Sequence, residues 1–209
     1  MTDLTLMAIA SPPFVQPTSA LDACRRAEAG GATAVQLRFK EEPAATIVEL
    51  AVRLIDALAI PIYINDRADV AVAAGAHGVH LGAEDIMSAS VRQFAPRPFQ
   101  IGVSVGTERE AREATGAAID YWSIGSVYRT GTKPDAGEPI GIRGFRNLAR
   151  RAPPKMPVIG IGGIDATNVR EVLQAGANGV AVIGAVFAAT DVERSTRELR
   201  DTIDAVMSE

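Results

Sequence analysis

Short, continuously apolar runs alternate along the chain with longer stretches whose apolar residues recur three or four positions apart. The runs predict eight strands, at Leu4–Ala10, Ala34–Phe39, Pro61–Asn65, Gly78–Leu81, Phe99–Val105, Tyr121–Val127, Pro157–Gly162 and Gly179–Ile183. The amphipathic stretches predict helices, among them Pro43–Leu58, Thr107–Thr115, Gly144–Arg151, Thr167–Gln174 and a last one over Asp191–Met207. Four junctions repeat one theme: "AGGATAVQL", "AGAHGVHL", "TGAAIDYWSI" and "AGANGVAVI" each give a glycine, a small-residue turn and then a strand. Glycine there suits the left-handed residue that closes a helix. Strands apolar at every position are buried on both faces and therefore parallel. Eight such βα units predict an α/β fold, a (β/α)8 TIM barrel formed as a single domain over residues 1–209. An open doubly wound sheet is the alternative.

Composition narrows the function. The net charge of -4 argues against a general nucleic-acid binder, which normally carries a basic excess. It leaves room for phosphorylated small molecules, since a few cations and backbone N–H groups suffice for a local anion site. The single cysteine, Cys24, excludes an intramolecular disulfide and lies in a helical pattern, where it reads as a packed side chain. No basic segment precedes the first apolar run and no apolar stretch approaches ~20 residues, so no membrane association and a cytoplasmic location are expected. Homo-oligomerisation is left open.

In such a barrel the chemistry gathers at the C-terminal strand ends. Strand three ends in "IND" and strand four in "HLGAED", so Asp66 and Asp85 follow neighbouring strands and both face one pocket. Two carboxylates without Cys or paired His suit Mg²⁺, whose remaining positions substrate phosphates fill. The competing reading is that each aspartate caps the helix after it. Gln36, Arg38 and Lys40 share one strand parity in "QLRFK" and point the same way. The loop Tyr128–Pro139 is long for a βα connection, which suggests a lid; Thr130, Gly131 and Thr132 in it offer hydroxyls and backbone N–H groups to an anion. Gly162-Gly163 and Ile183-Gly184 end strands seven and eight, where barrels commonly bind phosphate. His77 reads as a solvated turn residue. His80 is either interior packing or a border of the ligand, and Tyr121 and Trp122 read as barrel packing.

With "QLRFK", "INDRADVAVAAGAHGVHLGAEDI", "GVSV", "TGTK", "IGGI" and "AGANGVAVIGAV" in order, the chain resembles the thiamine phosphate synthase family from Leu4 to about Ala188. The resemblance implies a transferase of thiamine biosynthesis. It would join hydroxymethylpyrimidine diphosphate to hydroxyethylthiazole phosphate by a dissociative route through a pyrimidine cation, with Mg²⁺ as cofactor. Gln36, Leu37, Arg38, Phe39, Lys40 and Asn65 would bind the pyrimidine diphosphate, with Ser104 on the diphosphate and Asp66 and Asp85 on the metal. Thr130, Gly131, Thr132, Gly163, Ile183 and Gly184 would bind the thiazole phosphate, and Lys133 would reach the leaving pyrophosphate. Arg38, Lys40, Ser104 and Lys133 are the expected catalytic set. The chain departs from the family at Phe39 (usually Glu), at Ser126 and Arg129 (commonly Pro) and at Gly184 (often Ser). A related thiazole tautomerase on the same barrel and a non-catalytic sensor of thiamine intermediates are the competing functions.

Overall fold

Eight parallel strands close into one barrel, each hydrogen-bonded to the next in sequence and the last to the first. Closure excludes the open sheet. The computed structural model describes residues 2–132 and 138–209. The strands are β1 (Leu6–Ala10), β2 (Ala34–Leu37), β3 (Ile62–Asn65), β4 (Gly78–Leu81), β5 (Gln100–Val105), β6 (Tyr121–Ile124), β7 (Val158–Ile161) and β8 (Gly179–Val182). The helices between them are α1 (Ala20–Ala29), α2 (Ala44–Ala57), α3 (Ala68–Ala74), α4 (Ser88–Phe94), α5 (Glu108–Ala114), α6 (Gly141–Ala149) and α7 (Val169–Gln174). After β8 follow α8 (Gly184–Phe187) and α9 (Val192–Met207). Among the described residues, no helix is long and apolar enough to cross a membrane.

Strand alternation splits the core in two. Met7, Ile9, Ala34, Tyr63, Tyr121, Ile159 and Ala181 fill the barrel, while their neighbours meet the helices outside. The interior fits large against small across adjacent strands. Tyr63 lies beside Gly78 and Tyr121 beside Gly102 in register. A Cβ on Gly102 would stand 1.9 Å from Tyr121 Cζ, so only hydrogen leaves the ring its place. Trp122, by contrast, faces outward into the helix layer.

The junction glycines do what the repeats predict: Gly31, Gly75, Gly116 and Gly176 all have positive φ. At Gly75 (φ 68°) the residue closes α3, its N–H donating back to Ala71 and Val72. Cys24 is buried in α1, and burial pushes its thiol up to about 12, which leaves it protonated and inert. The predicted start of the sixth helix moves. Helix α6 begins at Gly141 rather than Gly144, because Ile140 and Gly141 donate their N–H groups to the carbonyls of Ser126 and Val127. Those bonds bring the end of the β6–α6 loop back onto its own start.

His77 is exposed but not merely solvated: its Nδ1 accepts the Ile62 N–H at 3.1 Å. Burial lowers its pKa below the ordinary histidine value of 6.5. The unfolded chain therefore binds the extra proton first, and the stabilisation, complete above that value, is lost as pH falls through the folded pKa. The stability gap between wild type and His77→Ala should thus narrow between about pH 7 and about pH 5 in denaturant titrations. A gap that widens over that range contradicts the assignment.

Candidate active site

The strand ends open into a cavity of about 1040 Å³. Its β2–β4 side carries Arg38, Lys40, Asp66 and Asp85, and its β6–β8 side carries Gly162, Gly163 and Gly184, because those strand groups face each other across the barrel.

Asp66 follows β3 in a left-handed conformation (φ 63°), with its N–H donating to the His80 carbonyl at 2.8 Å. Neither Asp66 nor Asp85 caps a helix. Helix α3 starts behind Arg67 and α4 behind Met87, and neither has a side-chain cap. Asp85 Oδ2 instead accepts the Gly82 N–H at 2.6 Å, which turns its carboxylate back towards the cavity. A Cβ on Gly82 would stand 3.2 Å from that same oxygen, a tight approach that the carboxylate could relieve only by shifting slightly. Burial, then the hydrogen bond and repulsion from Asp85, raise the pKa of Asp66, while Lys40 pulls it down from 3.3 Å. Two crowded carboxylates with one partly offsetting ammonium make a site that a divalent cation would relieve. Among the described residues no three His, Cys, Asp or Glu side chains converge as a metal cage, so an ion there would draw further oxygens from a ligand.

Arg38 and Lys40 line the same side, Arg38 buried and Lys40 half-exposed. Gln36 shares their inward parity but sits a layer lower. It is buried without reaching the cavity, its Nε2 3.8 Å from Met7 Sδ. Leu37 and Phe39 point the other way, into the packing outside the barrel that includes Ile47. Their side chains line no part of the cavity, which is what strand alternation requires of the second and fourth positions in "QLRFK". Asn65 ends β3 facing in, and its Nδ2 is buried without a hydrogen-bond partner among the described residues. A buried amide donor left unpaired costs stability, and this one stands at the cavity wall.

His80 both packs and borders the site. Its Nε2 lies 3.0 Å from Ser104 Oγ and its Nδ1 3.1 Å from the Tyr121 hydroxyl, with the two rings stacked. Burial raises the Tyr121 pKa well above normal, keeping the phenol neutral. Tyr121 thus fixes His80, and His80 fixes Ser104 at the cavity floor. Parity was the available signal: Ser104 and Ser123 are register partners on the inward face of β5 and β6, and both line the cavity.

On the opposite side the loop after β6 folds over β7. Val127 and Tyr128 donate to the carbonyls of Ile161 and Gly162 at 2.8 and 2.9 Å, and the Tyr128 hydroxyl donates to Glu171 at 3.2 Å. Ser126 donates its hydroxyl to the Tyr128 carbonyl. This closeness needs glycine, because a Cβ on Gly163 (φ 65°) would stand 2.7 Å from the Arg129 carbonyl oxygen. Thr130 and Thr132 hydroxyls lie 3.1 Å apart, and Thr132 Oγ1 would be 3.6 Å from a Cβ on Gly184. Thr130, Gly131, Thr132, Gly163, Ile183 and Gly184 therefore form one corner of the cavity. Lys133 and the rest of the predicted lid to Gly137 lie outside the described residues.

Comparison with known proteins identifies the family. The thiamine monophosphate synthase family (TMP-TENI) matches residues 6–186. A thiamine-phosphate synthase of Moorella thermoacetica is 47% identical over 186 residues, covering 88% of each chain. One of Azorhizobium caulinodans is 42% identical over 205 residues, covering 97% of this chain and 96% of its own. The solved structure of a thiamine phosphate pyrophosphorylase from Pyrococcus furiosus superposes with a TM-score of 0.88 at 36% identity, covering 99% of this chain and 98% of its own. With a family match across nearly the whole barrel and relatives this similar over nearly their full lengths, the chain belongs to the thiamine monophosphate synthase family and is an enzyme.

Proposed function

We propose that this enzyme joins hydroxymethylpyrimidine diphosphate to hydroxyethylthiazole phosphate, giving thiamine phosphate and pyrophosphate. The observation that carries the reading is the division of the cavity. Cations and a carboxylate pair stand on the β2–β4 side, and a glycine–threonine corner stands opposite. Two ligands with two separate phosphate groups match that division.

On the charged side Arg38 and Lys40 would take the diphosphate, and the Asn65 amide would donate to the pyrimidine half. Asp66 and Asp85 would hold Mg²⁺, which when bound draws charge from the diphosphate and makes it a better leaving group. Ser104, oriented by His80, would donate to a diphosphate oxygen as charge builds there. The methylene–oxygen bond breaks with both electrons going to the departing pyrophosphate, and the thiazole nitrogen lone pair captures the cation left behind. No general base is required. The opposite corner would hold the thiazole phosphate through the Thr130 and Thr132 hydroxyls and the backbone at Gly163, Ile183 and Gly184, aligning the nitrogen with the cation. A tautomerase would need an acid or base at the end of β6, and Ser126 there spends its proton on the Tyr128 carbonyl.

Following pyrophosphate release with each substrate alone and with both together tests the reading. Pyrophosphate and thiamine phosphate should form in equal amounts, and only with both substrates present. Conversion of a thiazole phosphate isomer with no pyrimidine diphosphate present would instead identify the tautomerase.

A further inference from the structure

We propose that Arg129 is a specificity residue, its guanidinium binding the phosphate of the thiazole substrate and selecting the phosphorylated thiazole over the free alcohol. The inference rests on the function proposed above. The cations lining the cavity among the described residues are Arg38, Lys40 and Arg129. The first two stand on the β2–β4 side, where the diphosphate would lie. On the β6–β8 side a phosphate dianion would meet hydroxyls and backbone, with Arg129 its one full positive charge among the described residues.

The backbone of Arg129 is pinned at that corner. Its carbonyl presses on Gly163, and the preceding Tyr128 is tied to Gly162 and Glu171. Among the described residues no carboxylate claims the guanidinium. The neighbouring cavity carboxylate Asp165 accepts instead from the Thr167 N–H at 2.8 Å and the Thr167 hydroxyl at 2.6 Å. A planar guanidinium with parallel donors matches two oxygens of a phosphate, and its flexible stem lets it close on the anion from the rim.

Arg129→Ala and Arg129→Lys, characterised by steady-state kinetics and by calorimetric titration with inorganic phosphate, test this. For Arg129→Ala the KM for thiazole phosphate should rise about tenfold or more, while the KM for pyrimidine diphosphate stays put. The preference for thiazole phosphate over the alcohol should fall by a similar factor, and Arg129→Lys should recover part of both. An unchanged thiazole phosphate KM, or two KM values rising together, overturns the inference and leaves the synthase reading intact. If the wild type makes no thiamine phosphate, that reading fails and the phosphate titration decides. Weaker phosphate binding by Arg129→Ala then still supports the anion site, whereas equal binding, or none by the wild type, refutes it.

Discussion

Replacing both Asp66 and Asp85 by asparagine should lower turnover at saturating Mg²⁺ by roughly a hundredfold to a thousandfold, the rate equivalent of about 3–4 kcal/mol of lost charge stabilisation. The substitution keeps size and leaves an oxygen to accept the Gly82 N–H, so the local turn survives. It should not weaken the fold. Asp66 has a raised pKa, which means its ionised form is disfavoured in the folded protein relative to the unfolded chain. A raised carboxylate pKa subtracts from stability at neutral pH, and that deficit shrinks as pH falls through the folded value. The double variant should therefore melt no lower than the wild type at neutral pH while losing most of its activity. Function maintained at a cost in stability is expected where like charges are gathered for a ligand. Undiminished Mg²⁺-dependent turnover would show that the ion binds elsewhere.

Gly102→Ala should cost about 3 kcal/mol, at the upper end of overpacking penalties, and lower the melting temperature by roughly 6–12 °C for a chain of this size. The added methyl would overlap the Tyr121 ring, with Cζ, Cε1 and Cε2 all within 2.4 Å of it. Tyr121 is fully buried and has no open direction in which to move. The damage should reach the active site, because the displaced phenol carries His80, and His80 carries Ser104. Gly131→Ala is the matching control for stability, since among the described residues nothing lies within 4 Å of a Cβ there. Differential scanning calorimetry of both variants gives the comparison. Equal melting temperatures for Gly102→Ala and wild type would mean that the interior is looser than this packing requires.

The barrel was legible because each of its strands is buried twice, once by the interior and once by helices, and so reads as an uninterrupted apolar run. The predicted strand ends overshoot by one to three residues where the ladder outlasts the regular strand. The Arg38 N–H, for example, still bonds the Ala10 carbonyl beyond the end of β2. The Tyr63–Gly78 and Tyr121–Gly102 pairs were not legible, since they depend on register between strands, which neither the glycine at the start of β4 nor the one inside β5 reveals. Asp66 carried a real ambiguity, because an aspartate just before a helix is a common cap. What rules out the cap is that α3 starts behind Arg67 and that the left-handed backbone of Asp66 directs its carboxylate to Lys40 and Asp85. Family resemblance carried over "QLRFK" as a block, whereas alternation sends Leu37 and Phe39 outward and leaves Gln36 beneath the cavity. His80 could not be resolved from sequence because it serves both packing and the site. Its two nitrogens join residues from β5 and β6 that lie far along the chain.

The most direct test of the proposed chemistry is formation of thiamine phosphate by the purified protein from pyrimidine diphosphate and thiazole phosphate, measured with Mg²⁺ and again with excess EDTA. Product that forms with Mg²⁺ and ceases with EDTA is the predicted result. No product from a folded protein, or the same rate in both conditions, would contradict it.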